Sequence, residues 1–289
     1  MNHYKHMKKT YWLFLAPVLI ILFLVIVLPF IYGIYTSFTN SNGLTMSFIG
    51  LTNYKELFND QRFLESMNIT FWFSIFSVIL VNVIGLGLGL LVTTIQGKFA
   101  TFLRTTFFVP NLIGGVILGF IWQFIFIQAF STIGSATGIP FFDNWLATSV
   151  SGFWALVIVF VWQMSGYVML IYISFLTSIS QTVLDSAKMD GANAWQMFWY
   201  IKFPTVAPAF TISLFLTLTN AFRLYDLNLA LTNGGPFGST EMLAMNIYNT
   251  AFQEYSQGYA QAKGVIFFII VTIVTVIQLN LTRKREMDV

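Results

Sequence analysis

The chain contains no cysteine, which removes disulfides, thiol nucleophiles and thiolate metal sites together and leaves its redox compartment unread. Charge is scarce too: 9% of residues are Asp, Glu, Lys or Arg, against about 25% in an ordinary soluble domain. The net charge of +3 is small, which argues against a nucleic-acid partner. Only two histidines occur, His3 and His6, both in the N-terminal tail, so no buried histidine base and no histidine metal cluster is on offer. The many serines therefore lack the partner that makes a hydroxyl nucleophilic. There is no G-x-x-x-x-G-K-[ST] stretch, and the chain alone cannot cradle the phosphates of ATP.

What the chain has in abundance is apolar length. Of 289 residues 57% are hydrophobic, 32 are Phe and the mean hydropathy is +0.75, so lipid is the solvent for most of it. A spanning helix needs about 20 apolar residues, and six such runs occur, at about 12–38, 69–95, 105–127, 150–176, 209–231 and 264–281. The reading is an all-α integral membrane protein with a membrane domain over 11–282 and short tails at 1–10 and 283–289. The first run exceeds the roughly 7–15 residues of a signal-peptide core, so it is a retained span, kinked at Pro17 and Pro29. Gly85, Gly87 and Gly89 thin the second span for close helix packing, while Pro110 and Gly114-Gly115 bend or narrow the third. One side of the membrane collects Lys5, Lys8, Lys9, Lys98, Arg104, Lys188, Lys202, Arg283, Lys284 and Arg285. The other holds Lys55, Arg62 and Lys263, so the positive-inside rule makes the first side, with both termini, cytoplasmic.

The polar segment 179–208 lies on that cytoplasmic side. Thr182 with Asp185 fits a capping box, and Gly191 suits a left-handed turn after Asp190. Asn193 can cap a second helix, Ala194 to Phe203, which Pro204 stops; Pro208 starts the span beyond it. Asp185 and Asp190 invite comparison with diphosphate-binding aspartate pairs of membrane prenyltransferases. Five residues apart on a helix they point about 140° apart, and no second acidic cluster accompanies them.

The run Asp185-Ser186-Ala187-x-x-Asp190-Gly191-Ala192, followed by Phe198, Pro204 and Pro208, resembles the EAA loop of permease subunits of binding-protein-dependent ABC importers. Asp185 replaces the usual Glu and Ser186 the usual Ala. Two further stretches resemble the carbohydrate branch of that family, of maltose, glycerol-phosphate and multiple-sugar type. They are Phe48-x-Gly50-Leu51-x-Asn53-Tyr54 and Thr232-x-Gly234-Gly235-Pro236 with Thr240, Ile247-Tyr248 and Ala251-Phe252. The resemblance implies a type I ABC importer permease fold in a bacterial cytoplasmic (inner) membrane. It implies a second homologous permease, two ATPase subunits that use ATP and Mg, an extracytoplasmic binding protein and a sugar or oligosaccharide cargo; no cofactor is bound by this chain. Asp185 and Asp190 are then expected to cap or pair at the ATPase contact, with Gly191 setting the bend. Ala187 and Ala192 allow close approach, and Phe198 and Pro204 complete the coupling loop.

Several polar and aromatic residues within the spans suit a polar solute. Arg223 and Asp226, three apart in the fifth span, can pair on a helix, and ionisable groups there face a bundle interior or a hydrated cavity. With Asn220, Tyr225 and Asn228 they either border a solute path or form an internal ion pair. Trp122-Gln123 and Trp162-Gln163 supply ring faces and amides of the kind that bind sugars, although Trp also anchors membrane interfaces. Tyr167 and Asn82 are further candidates. Gly234, Gly235 and Pro236 form a tight outer turn with accessible backbone for a docking protein. The different-class alternative is an autonomous secondary transporter with Arg223 and Asp226 in ion coupling, disfavoured by the lack of an internal repeat.

Overall fold

The computed structural model describes residues 2–286, with side chains placed over 11–282. His3, His6 and the tail basic residues Lys5, Lys8, Lys9, Arg283, Lys284 and Arg285 thus lie outside the described side chains. Among the described residues six helices are long and apolar enough to span a membrane: α1 (Tyr11–Thr36), α3 (Gln61–Thr94), α5 (Gly115–Thr137), α6 (Ser149–Leu176), α8 (Ala194–Phe222) and α11 (Gln257–Thr282). Shorter helices connect them: α2 (Thr52–Leu57), α4 (Lys98–Phe108), α7 (Gln181–Met189), α9 (Asp226–Leu231) and α10 (Leu243–Phe252). Among the described residues the one trace of β structure is an isolated bridge between Thr39 and Phe48.

The second and sixth spans start earlier than expected, at Gln61 and Gln257, and two others are displaced at both ends for identifiable reasons. The third starts at Gly115 instead of 105, because Pro110 sits in a 3-10 turn and Ile113 and Gly114 are extended; the chain before it is the separate helix α4. The fifth starts at Ala194 and ends at Phe222, so Pro204 does not stop a helix but lies inside one. A π turn, Phe198–Lys202, ends two residues before that proline, and the Phe203 N–H reaches back to the Phe198 carbonyl. The widened turn relieves the clash that a proline ring otherwise makes with the carbonyl four residues earlier. The same device recurs in α1, where the π turn Phe23–Val27 precedes Pro29.

The chain falls into two compact units, 1–60 with 247–268, and 61–246 with 269–289. In the first, Asn53 donates from its amide to the Ser37 and Thr39 carbonyls, each at 2.8 Å, and Tyr54 shares a 2.6 Å hydrogen bond with Ser37. These residues of the Phe48–Tyr54 stretch seal the end of α1. Lys263, placed by the sequence on the non-cytoplasmic side just before the sixth span, lies within α11, 2% exposed, paired with Asp60 at 2.9 Å and donating to Thr250 at 3.0 Å.

In the second unit α6 is the central helix, and α3 packs along it. A Cβ on Gly85 would stand 2.7 Å from the Val168 side chain, and one on Gly89 3.2 Å from Tyr172. Gly87 meets nothing, so two of the three glycines serve the contact. A buried polar node joins three spans: Asn82 of α3 accepts from Tyr172 of α6 at 3.0 Å and from Ser213 of α8 at 2.5 Å. Asn82 is thus a helix tie, the use to which membrane bundles put buried amides.

Candidate coupling loop and solute cavity

Helix α7 begins two residues before the expected point. Ser180 is its N-cap and makes no side-chain cap bond, so the Thr182–Asp185 capping box does not form. Asp185 instead lies mid-helix, accepting from Gln181 at 2.9 Å and from Lys188 at 3.3 Å. The helix ends in a Schellman turn: Gly191 has φ +83°, its N–H reaches the Lys188 carbonyl, and the Ala192 N–H reaches the Ala187 carbonyl at 3.0 Å. Asn193 then opens α8 with a reciprocal box, its side chain and that of Gln196 each accepting the other's backbone N–H at 2.9 Å. The turn between α7 and α8 is therefore fixed at both ends by local hydrogen bonds. Asp185 and Asp190 are exposed, and Phe198 packs on Trp199 and Phe203.

At the other end of α8 lies a cavity of about 540 Å³ whose lining includes Gln163, Asn220, Arg223, Tyr225 and Asp226. The helix stops at Phe222, and α9 starts afresh at Asp226, so the expected helical pairing of Arg223 with Asp226 is absent. Arg223 donates from Nε to the Thr219 carbonyl at 3.3 Å, while among the described residues no carboxylate pairs with it and no cation with Asp226. Asn220 and Gln163 donate to the carbonyls of Leu216 and Ile113, at 2.8 and 2.9 Å. Their amide oxygens remain as acceptors. A guanidinium, a carboxylate and two amide oxygens around one cavity of this size suit a solute rich in hydroxyls, each of which both donates and accepts. Gly115 opens this wall, since a Cβ there would stand 3.0 Å from that of Asp226. Asn111 also lines the cavity and was not singled out from sequence; its signal was a polar residue beside Pro110 in an apolar run.

Compared with known proteins, residues 84–287 match the family described as binding-protein-dependent transport system inner membrane component. The chain belongs to this family. The permease is 50% identical over 280 residues to the probable starch degradation products transport system permease protein AmyD of Thermoanaerobacterium thermosulfurigenes, covering 96% of this chain and 95% of that one. It is 33% identical over 279 residues to the multiple sugar-binding transport system permease protein MsmF of Streptococcus mutans, covering 95% and 96%. Its fold matches a chain of a bacterial alginate ABC transporter, crystallised in complex with an alginate pentasaccharide-bound periplasmic protein. There the TM-score is 0.83 at 19% identity, with 99% of both chains covered. The permease is thus a multi-pass membrane transport subunit rather than an enzyme.

The remaining solute-path candidates do not reach the cavity. Trp122 and Trp162 contact each other edge to face at 5.4 Å, but Trp122 packs into the core beside Phe126, and Trp162 lines a separate apolar groove with Trp154. Gln123 donates to the Leu231 carbonyl at 3.2 Å, and Tyr167 packs against the core. Asn228 is fully buried and holds the loop after α9, donating to Thr232 at 3.0 Å and to the Thr240 carbonyl at 2.8 Å while accepting from the Met242 N–H. That loop carries Gly234, Gly235 and Pro236. Gly234 is buried and the next two are half-buried, so the turn presents less open backbone than expected; Phe237, wholly exposed, stands at its tip. The loop is also pinned by a bidentate ion pair of Arg62 with buried Glu241, both contacts at 2.7 Å.

Proposed function

We propose that this permease is the membrane-spanning subunit of an ATP-driven importer for a sugar or oligosaccharide in a bacterial cytoplasmic membrane. The carrying observation is the hydroxyl-compatible cavity at one end of α8, whose other end adjoins the locally fixed turn at Gly191. The relatives named for starch degradation products and multiple sugars support carbohydrate as the cargo. In this reading both termini are cytoplasmic and the 185–208 segment docks on two ATPase subunits, which use ATP and Mg. A second homologous permease completes the pathway, and an extracytoplasmic binding protein delivers the sugar near the 234–237 turn. Gln163, Asn220, Arg223, Tyr225 and Asp226 contact the cargo, whereas ATP hydrolysis belongs to the partners.

The test is co-purification with the candidate ATPases and binding protein, followed by uptake into vesicles. ATP-dependent uptake of a sugar, lost when the ATPases are omitted, is expected. Uptake driven by an ion gradient in the absence of any ATPase would overturn the proposal in favour of a secondary transporter.

A further inference from the structure

A second polar cavity, of about 530 Å³, lies where two spans end and the coupling segment begins; its lining includes Thr93, Thr94, Leu176, Thr177, Lys188 and Lys202. Its hydroxyls have already spent their protons. Thr93 donates to the Gly89 carbonyl at 2.9 Å, Thr94 to Leu91 at 2.7 Å and Thr177 to Ile173 at 2.8 Å. The strong donors left for a ligand are the two ammonium groups. Lys188 is exposed and shares Asp185 at 3.3 Å. Lys202 is half-buried, and among the described residues no carboxylate lies within ion-pair distance of it. Partial burial of a cation without a counter-charge is unfavourable, so the cavity asks for an anion from outside the chain.

Position selects which anion. Thr94 and Leu176 are the last residues of α3 and α6, which places the cavity at the depth where acyl chains give way to headgroups. Beside Lys202, the first turns of α8 carry Trp195, Trp199 and Tyr200, which are 69%, 40% and 78% exposed. Such aromatics settle at headgroup level, and basic pockets between spans at that level take anionic headgroups. We propose that this cavity binds the phosphate of an anionic membrane phospholipid, with Lys202 as the inner contact and Lys188 at the rim. Both lysines lie in the 185–208 segment read above as the ATPase contact, so the site is tested on the chain without ATPases, where it needs only a bilayer.

The experiment reconstitutes the full chain in phosphatidylcholine nanodiscs containing a minor fraction of phosphatidylglycerol and measures, by mass spectrometry, lipid retained after delipidation. Wild type should retain phosphatidylglycerol over phosphatidylcholine. Lys202→Gln should cut that preference by about fivefold, the factor to which about 1 kcal/mol per surface lysine corresponds. Lys202→Arg should keep it, and Lys98→Gln, an exposed cation outside the cavity, should leave it unchanged. No preference in wild type, an unaltered preference in Lys202→Gln, or an equal loss in Lys98→Gln would each overturn the proposal. So would displacement of the retained lipid by excess inorganic phosphate, which would make this a site for a free anion.

Discussion

Asn228 engages three partners with one amide: Thr232, the Thr240 carbonyl and the Met242 N–H. Replacing it by alanine strands a buried carbonyl and a buried N–H, at about 1–3 kcal/mol for each unsatisfied group. Asn228→Ala should therefore lower the unfolding temperature and the detergent-solubilised yield, read by size-exclusion recovery after heating. The contrast is with Arg223 and Asp226, which are exposed and unpaired with each other. Surface substitutions usually fall within about ±0.5 kcal/mol. Arg223→Ala and Asp226→Ala should then each insert and fold at wild-type yield while changing uptake rate or sugar preference. Low yield in both singles, restored in the double variant, would mean a structural pair after all. Polar residues in apolar runs were visible in the sequence, and Gln163, Asn220, Arg223, Tyr225 and Asp226 do converge on one cavity. Asn228 and Gln123 looked the same in sequence but serve as ties, because the carbonyl an amide meets is decided by packing between elements distant in the chain.

Among the elements, the turn between α7 and α8 is built from local signals, and those were legible: Gly191 for positive φ and Asn193 as a cap. A valine at 191 must hold φ near +83°, which costs an L-residue roughly 1–2 kcal/mol and a β-branched one no less. Gly191→Val should leave insertion and yield normal but impair ATP-coupled transport. Asp185→Ala removes only exposed contacts to Gln181 and Lys188, worth about 0–1 kcal/mol, so its effect on ATPase association should be smaller. If both variants transport at wild-type rate with normal ATPase stimulation, the segment does not couple. The prolines were harder to read. Pro204 carries the ordinary signature of a helix stop, and nothing in its neighbours announces the π turn at Phe198–Lys202 that lets the helix continue. The breaks at Gly114 and Arg223 were misplaced for the converse reason, since hydropathy runs on through them while the backbone does not.

For the whole molecule, the number of spans followed from apolar length alone, because any spanning segment must meet its backbone hydrogen bonds internally. Long-range pairing did not: the partnership of Lys263 with Asp60 joins residues far apart in sequence, and no periodicity encodes it. The orientation rests on charge asymmetry and is open to direct measurement. The chain has no cysteine, so single cysteines at Ser186 and Ser135, both exposed, report without background. An impermeant maleimide applied to intact cells should label position 135 and not 186. Labelling at 186 from outside would invert the topology.

The π turn before Pro204 has a mechanical consequence. Because the helix is not cut there, α8 runs unbroken over 29 residues, a path of about 43 Å at 1.5 Å per residue. One tip is clasped by the Asn193–Gln196 box and the other, at Asn220, forms cavity wall. A tilt of about 5° around the clasped tip sweeps the far tip by roughly 4 Å, comparable to the width of a sugar hydroxyl and its hydrogen bond. A rotation that small at one membrane face is enough to make or break the polar contacts at the opposite end.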